Sequence, residues 1–337
     1  MSDAASPGPV VASPPSVPVL AGALVWSVLA LLSLGPLEER LGLLEVVFLL
    51  GPCVIVPLAF GMLGDLRSGA PGGAEAWIAI AYLSWPFGLV ALVVAMLFAP
   101  GVLSGILALG WLAPTGFAAL AGLFWIGSKR SLRASVLAPS VALIYLFVGA
   151  DWFVLWRFGL QPFDLSDDIV ALTATHFHVA GFGGIVLAWL LVRALRPGTR
   201  SSAVASAAAV GAVVGMPITA AGFTFDAPFL STVGAIVLAL SFLAVAAITA
   251  GGLRELRLPA GGSVLLVVSS LSVVVGMALA VHYAFGQWTG TSTLSIDRMV
   301  QMHGVANGLG FVTFGLLGWS MVRDAVFAFA PPDRPGS

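Results

Sequence analysis

The chain has 337 residues, of which 59% are hydrophobic and 9% are charged, and its mean hydropathy is +1.07. Soluble domains are about 25% charged, so this composition excludes an ordinary soluble domain and predicts an integral membrane protein. The net charge is −1 and the basic residues are scattered through short loops, which excludes a nucleic-acid-binding surface.

The ends of the chain differ from its middle. Residues 1–17 are rich in Pro, Ser and Ala and are predicted to be a disordered tail. Asp3 and the absence of Lys and Arg before the first apolar run argue against a signal peptide, so the first helix is predicted to be retained. A transmembrane domain is predicted over 18–323, followed by a cytoplasmic tail over 324–337. The single cysteine, Cys53, lies in an apolar run and is predicted to be buried.

Apolar runs long enough to cross about 30 Å of hydrocarbon recur along the chain. They predict an all-α fold, a polytopic helical bundle with about ten spans in a bacterial cell membrane. The spans are predicted at 18–35, 42–62, 76–98, 101–126, 136–156, 168–192, 203–223, 229–250, 263–285 and 299–321.

The basic residues predict the orientation of these spans. With both termini inside, eleven of the fourteen Lys and Arg residues fall on the cytoplasmic side. The other three, Arg40, Arg157 and Arg298, fall on the outer side.

The orientation assigns a depth to the four histidines. His176 and His178 lie about 12–15 Å below the predicted outer end of their span, at 1.5 Å per residue. His303 lies about two turns into the last span, with Asn307 one turn deeper on the same face. His282 lies near the outer end of the ninth span. Ionisable groups at such depths are costly, so the four are predicted to converge on a polar cavity in the outer half of the membrane.

Carboxylates occur at similar depths. Glu45 lies about one turn into the second span, and Asp151 lies near the outer end of the fifth. Asp226 and Asp297 flank outer loops. The candidate catalytic residues combine three of these acids with three residues of the histidine spans. They are Glu45, Asp151, Asp226, His178, His303 and Asn307.

The spacing of His176 and His178 limits their joint use. Two positions on a helix point about 160° apart, so one ring can line the cavity while the other bonds to a neighbouring helix.

Two sequence motifs carry resemblances to known families. THFHVAGF and MHGVANGLGF resemble the YndJ-like family of bacterial membrane proteins, best over spans six to ten. This resemblance implies a polytopic membrane protein and no specific activity, although some members have been labelled transporters. The HFH triplet is distantly similar to a helix of haem–copper oxidase large subunits, in which two histidines bind different haems. The chain lacks the other histidines that those subunits use.

Four functions stay open on the sequence alone. In the first, His176 or His178, together with His303 and with His282 or Glu45 as a further ligand, forms a metal or haem site for catalysis or electron transfer. The chain has no closely spaced motif such as HExxH. A haem and a divalent metal both stay open as the cofactor, and so does the absence of any cofactor.

In the second, histidine and carboxylate act as acid and base on a lipophilic small molecule, in an isomerisation, cyclisation or hydrolysis. In the third, helices broken by Pro and Gly belong to a transporter. In the fourth, the histidines only cross-link helices. In every case the lipid bilayer is the predicted partner and nucleic acid is not.

Overall fold

The computed structural model describes residues 16–64, 69–252 and 258–329, and it consists of ten apolar helices connected by short loops. Nine of the helices described are long and apolar enough to cross a membrane. In chain order they are α1 Val17–Leu32, α2 Leu43–Leu63, α3 Gly72–Leu97, α4 Val102–Lys129, α5 Ala134–Phe158, α6 Asp167–Ala194, α7 Arg200–Thr224, α8 Pro228–Gly252, α9 Ala260–Thr289 and α10 Ile296–Phe327.

The all-α fold class predicted from the sequence is confirmed, and each predicted span has a helix at its position. The first span differs most, because α1 has 16 residues and is shorter than the other nine. The predicted orientation stays a prediction. Four of the basic residues that support it, Arg67, Arg254, Arg257 and Arg334, lie outside the described residues, as do most of both predicted tails.

Local sequence signals explain several helix boundaries. Thr199 caps α7 by accepting a hydrogen bond from the Ser202 amide, at 3.1 Å. Gly159 and Gly290 end α5 and α9 with φ near +70°, a backbone conformation that suits glycine. Gly101 has φ +150° and makes the tight turn between α3 and α4.

The centre of the bundle contains helical segments with a wider, π-type turn. They lie in α2 (Gly51–Ile55), in α6 (Phe177–Gly184) and twice in α10 (Val300–Gly304 and Ala306–Thr313). The segments of α2, α6 and α10 pack against one another. Helices α2 and α6 are the most deeply buried spans among those described, so they form the core around which the other helices are arranged.

The close approach of these segments depends on small residues. A Cβ atom on Gly183 would lie 2.6 Å from Ile55 Cγ2 and would also meet the side chain of Val312. Such contacts are closer than real Cβ atoms make, so glycine is required where the three helices meet.

Candidate functional site

A cavity of about 200 Å³ lies in one half of the bundle. Six helices, α2 and α6 to α10, contribute to its wall. The lining residues come from the first halves of α2, α6, α8 and α10 and from the last parts of α7 and α9. Since successive helices alternate in direction, these parts lie at the same end of the bundle, the end that the sequence predicts to be outside.

His176 is the last residue of the α-helical part of α6, directly before the π-helical segment. Its Nδ1 lies 2.7 Å from the carbonyl oxygen of Leu172. Because a carbonyl oxygen can only accept, Nδ1 carries the proton and donates it. The neutral ring therefore presents an unprotonated Nε2, and its side chain is exposed on the cavity wall.

His303 on α10 has the same arrangement. Its Nδ1 donates to the carbonyl oxygen of Gly276 on α9, at 2.8 Å. The amide nitrogen of Asn307 lies 3.0 Å from Nδ1 and 3.4 Å from Nε2. Since Nδ1 already carries a proton, this amide can donate only to Nε2, and that contact is long. The Asn307 Oδ1 is buried and has no hydrogen-bond partner among the described residues.

The two imidazoles face each other across the cavity. The centroids of the His176 and His303 rings are 6.0 Å apart, and the ring planes are inclined by 33°. Most of the side chains around them are apolar, and no Lys, Arg, Asp or Glu among the described residues lines the cavity. The site therefore consists of two neutral bases held at fixed angles in a largely apolar environment.

His178 belongs to a different environment. Its Nε2 accepts a hydrogen bond from the Trp111 indole at 2.9 Å, and its Nδ1 donates to the Ala174 carbonyl at 2.8 Å. The ring is fully buried, and Phe48 packs edge-on against it. Both nitrogens are used, so His178 cannot bind a metal or act as a base without losing one of these bonds.

Two glycines make the space for His178. A Cβ on Gly149 would lie 2.7 Å from Nδ1 of His178. A Cβ on Gly51 would lie 2.8 Å from the Cβ of His178. His178 therefore connects α6 to α2, α4 and α5, and its role in the fold is structural.

His282 is also separate from the cavity. It is exposed, and its Nε2 lies 3.1 Å from the hydroxyl of Thr293 in the following loop. In the described part of the chain, no three His, Cys, Asp or Glu residues are grouped closely enough to hold a metal ion. The predicted convergence of four histidines is thus wrong, because only His176 and His303 meet.

The acidic candidates do not line the cavity either. Asp151, Asp226 and Asp297 are exposed. Glu45 is half-buried, but it is the neighbouring Leu44 that lines the cavity. Depth along a helix was therefore a poor guide to these residues, because it does not say which side of the helix faces inward.

Glu45 has a charged environment of its own. It lies near Arg157 and Asp168. Arg157 is buried and donates to the hydroxyl of Ser104 at 2.8 Å. It also donates to the carbonyl oxygens of Ala95 and Phe98, so it caps the last turn of α3. Sequence analysis counted Arg157 among the outer basic residues and missed this structural role.

Tyr283 is a site residue that the sequence analysis missed. It lines the cavity from α9, one position from His282, and the chain has three tyrosines in all. Its place in an apolar span was a usable signal, because a buried phenol needs a polar partner.

The chain matches the YndJ-like protein family over residues 46–311, which include both histidines of the cavity. It is also similar to a protein of Bacillus subtilis (strain 168), named uncharacterized membrane protein YndJ. The two are 27% identical over 218 residues, which are 65% of this chain and 38% of that protein. The chain thus spans well under half the length of this relative. No solved structure gives a significant match.

The family match covers most of the chain, and it agrees with the nine long apolar helices among the described residues. The chain is an integral, multi-pass membrane protein and belongs to the YndJ-like family.

Proposed function

We propose that the cavity binds a lipophilic molecule within the membrane and that His176 and His303 act on it as an acid–base pair. The observation that carries this proposal is the facing pair of imidazoles, 6.0 Å apart, in a cavity that is otherwise lined mostly by apolar side chains. An apolar pocket with a few converging polar groups is the usual form of a small-molecule site.

The fixed tautomers support a role in proton transfer. Each Nδ1–H donates to a main-chain carbonyl, so each unprotonated Nε2 can accept a proton from a bound molecule. Two imidazolium ions at this distance would repel each other in an apolar environment. The pair is therefore suited to hold one extra proton at a time, as an acid–base catalyst requires.

The extent of the cavity favours binding or catalysis over transport. A transporter's site lies near the midplane and opens to each side in turn. Here the lining residues are confined to one half of the bundle, and the rings of Phe242 and Phe311, 5.3 Å apart, lie at the deep end. A further space, of about 10 Å³, lies beyond Phe311.

The proposal is tested by lipid mass spectrometry on protein purified in nanodiscs formed directly from cell membranes. His176→Gln and His303→Gln are compared with His282→Gln, which changes a histidine outside the cavity. We expect a lipophilic species to co-purify with the wild type and with the control, and to fall at least tenfold in the two cavity variants. Identical lipid profiles in all four proteins would overturn the proposal.

A metal or haem held by the two imidazoles is a second candidate. Metal-binding histidines usually donate their other N–H to a carbonyl or carboxylate, as both rings do here. Elemental analysis and a visible absorption spectrum of the same preparations decide between the candidates. Stoichiometric metal or a haem band that is lost in His176→Gln and kept in His282→Gln would favour the second.

A further inference from the structure

The hydroxyl groups on the cavity wall already donate their protons. Thr173 and Thr175 donate to carbonyl oxygens one turn earlier in α6, at 2.7 and 2.8 Å. Thr219 does the same in α7, and Ser231 donates to the Pro228 carbonyl in α8, both at 2.9 Å. A hydroxyl has one proton, so these four side chains can offer a bound molecule only their lone pairs.

The nitrogen and amide groups follow the same rule. The Nδ1 protons of His176 and His303 are donated to the protein, which leaves both Nε2 atoms as acceptors. The Asn307 amide nitrogen points to His303, and the Asn307 Oδ1 has no partner. The Tyr283 hydroxyl also lines the cavity and is a potential donor to a bound molecule. Among the described residues of the wall, groups that can only accept therefore outnumber groups that can donate.

The charge of the wall adds a second restriction. Within residues 16–64, 69–252 and 258–329, no Lys or Arg lines the cavity, so a carboxylate or phosphate head group would find neither a counter-charge nor enough donors there. In the same part of the chain no Asp or Glu lines it either, so an ammonium head group would be buried without a counter-charge from these residues, which is costly.

We infer that the cavity selects a lipophilic alcohol, whose hydroxyl group donates a hydrogen bond to Nε2 of His176 or His303. This inference rests on the proposed function and specifies the chemical class of its ligand. A neutral O–H satisfies an acceptor that otherwise lacks a partner and introduces no charge. The same contact would place the hydroxyl proton next to a base.

The test compares four probes with ten-carbon or similar chains in reconstituted nanodiscs: 1-decanol, its isomer methyl nonyl ether, decanoate and decylammonium. Binding is measured as the amount retained above that of protein-free nanodiscs, which corrects for partition into lipid. One hydrogen bond is worth about a 3- to 10-fold difference in affinity, and we expect decanol to bind tighter than the ether by that factor. Decanoate and decylammonium should bind more weakly than decanol.

Variants locate the effect. In the double variant His176→Phe with His303→Phe, the preference for decanol over the ether should fall to about twofold or less, while the ether binds as before. His282→Phe should keep the full preference. If the double variant does not fold, the single variants His176→Phe and His303→Phe test the same contact, and at least one of them should reduce the preference to about twofold or less.

The outcomes separate this inference from the proposed function. Equal binding of decanol and the ether to the wild type would overturn the alcohol inference and leave the cavity a lipophilic site. Tightest binding of decylammonium or decanoate would also overturn it. Retention of no probe above protein-free nanodiscs would overturn the proposed function as well.

Discussion

The hydrogen bond between Trp111 and His178 gives the sharpest prediction about the fold. Trp111→Phe removes the indole N–H and leaves the His178 Nε2 buried without a donor. Hydrogen bonds between membrane helices average about 0.6 kcal/mol, but an unsatisfied buried group costs about 1–3 kcal/mol. We expect the second effect to dominate, since the His178 ring is fully buried, with Phe48 packed edge-on against it.

The control is Trp125→Phe. Trp125 is as buried as Trp111, at 1% exposed against 0%, and packs on Trp189, but its indole makes no hydrogen bond among the residues described. The loss of ring volume is the same in both variants and cancels in the comparison. Trp111→Phe should therefore lower the free energy of unfolding by about 1–2 kcal/mol more than Trp125→Phe.

The measurement is reversible unfolding by SDS in mixed micelles, followed by circular dichroism. The double variant Trp111→Phe with His178→Phe leaves neither group unpartnered, so it should be more stable than the sum of the two single variants implies, by about 1–2 kcal/mol. Equal costs for Trp111→Phe and Trp125→Phe, or strict additivity in the double variant, would refute the assignment of His178 to the fold.

Two further predictions concern packing and orientation. Gly183→Leu places a side chain where α2, α6 and α10 meet and should lower the free energy of unfolding by more than about 3 kcal/mol. Gly127→Leu, whose Cβ meets open space, should change the thermal midpoint little. Equal midpoints for the two variants would contradict the close packing. The orientation is tested by cysteine labelling in a Cys53→Ala background with a membrane-impermeant maleimide. Ser292→Cys, in a predicted outer loop, should be labelled in intact spheroplasts, and Leu132→Cys, in a predicted inner loop, only after lysis. The reverse pattern would overturn the predicted orientation.

Much of the fold could be predicted because the apolar runs are long and their ends are marked. Gly159 and Gly290 end helices where the sequence predicts loops, and Gly101 separates two spans at the shortest break. The site could be predicted only in part. Helical periodicity predicts that His176 and His178 point to different sides of α6. The depth along each span predicts that His176 and His303 lie at a similar height in the membrane.

The remaining site contacts depend on helices that are distant in sequence. His178 is bonded to Trp111, 67 residues earlier, and no local pattern marks that pair. Spans that are apolar on every side carry little information about which face turns inward, so Glu45 and Asp151 were assigned to the site by depth alone. The π-helical turns add to this difficulty, because each changes the direction of the residues that follow it.

These turns also bear on how such a chain tolerates insertions and deletions. A π turn contains about one residue more than an α turn, so deleting one residue from Phe177–Gly184 can restore an ordinary α-helix and keep both ends of α6 in register. The same deletion elsewhere in α6 would rotate everything beyond it by about 100°. Single-residue gaps in alignments of homologues should therefore concentrate in the central segments of α2, α6 and α10.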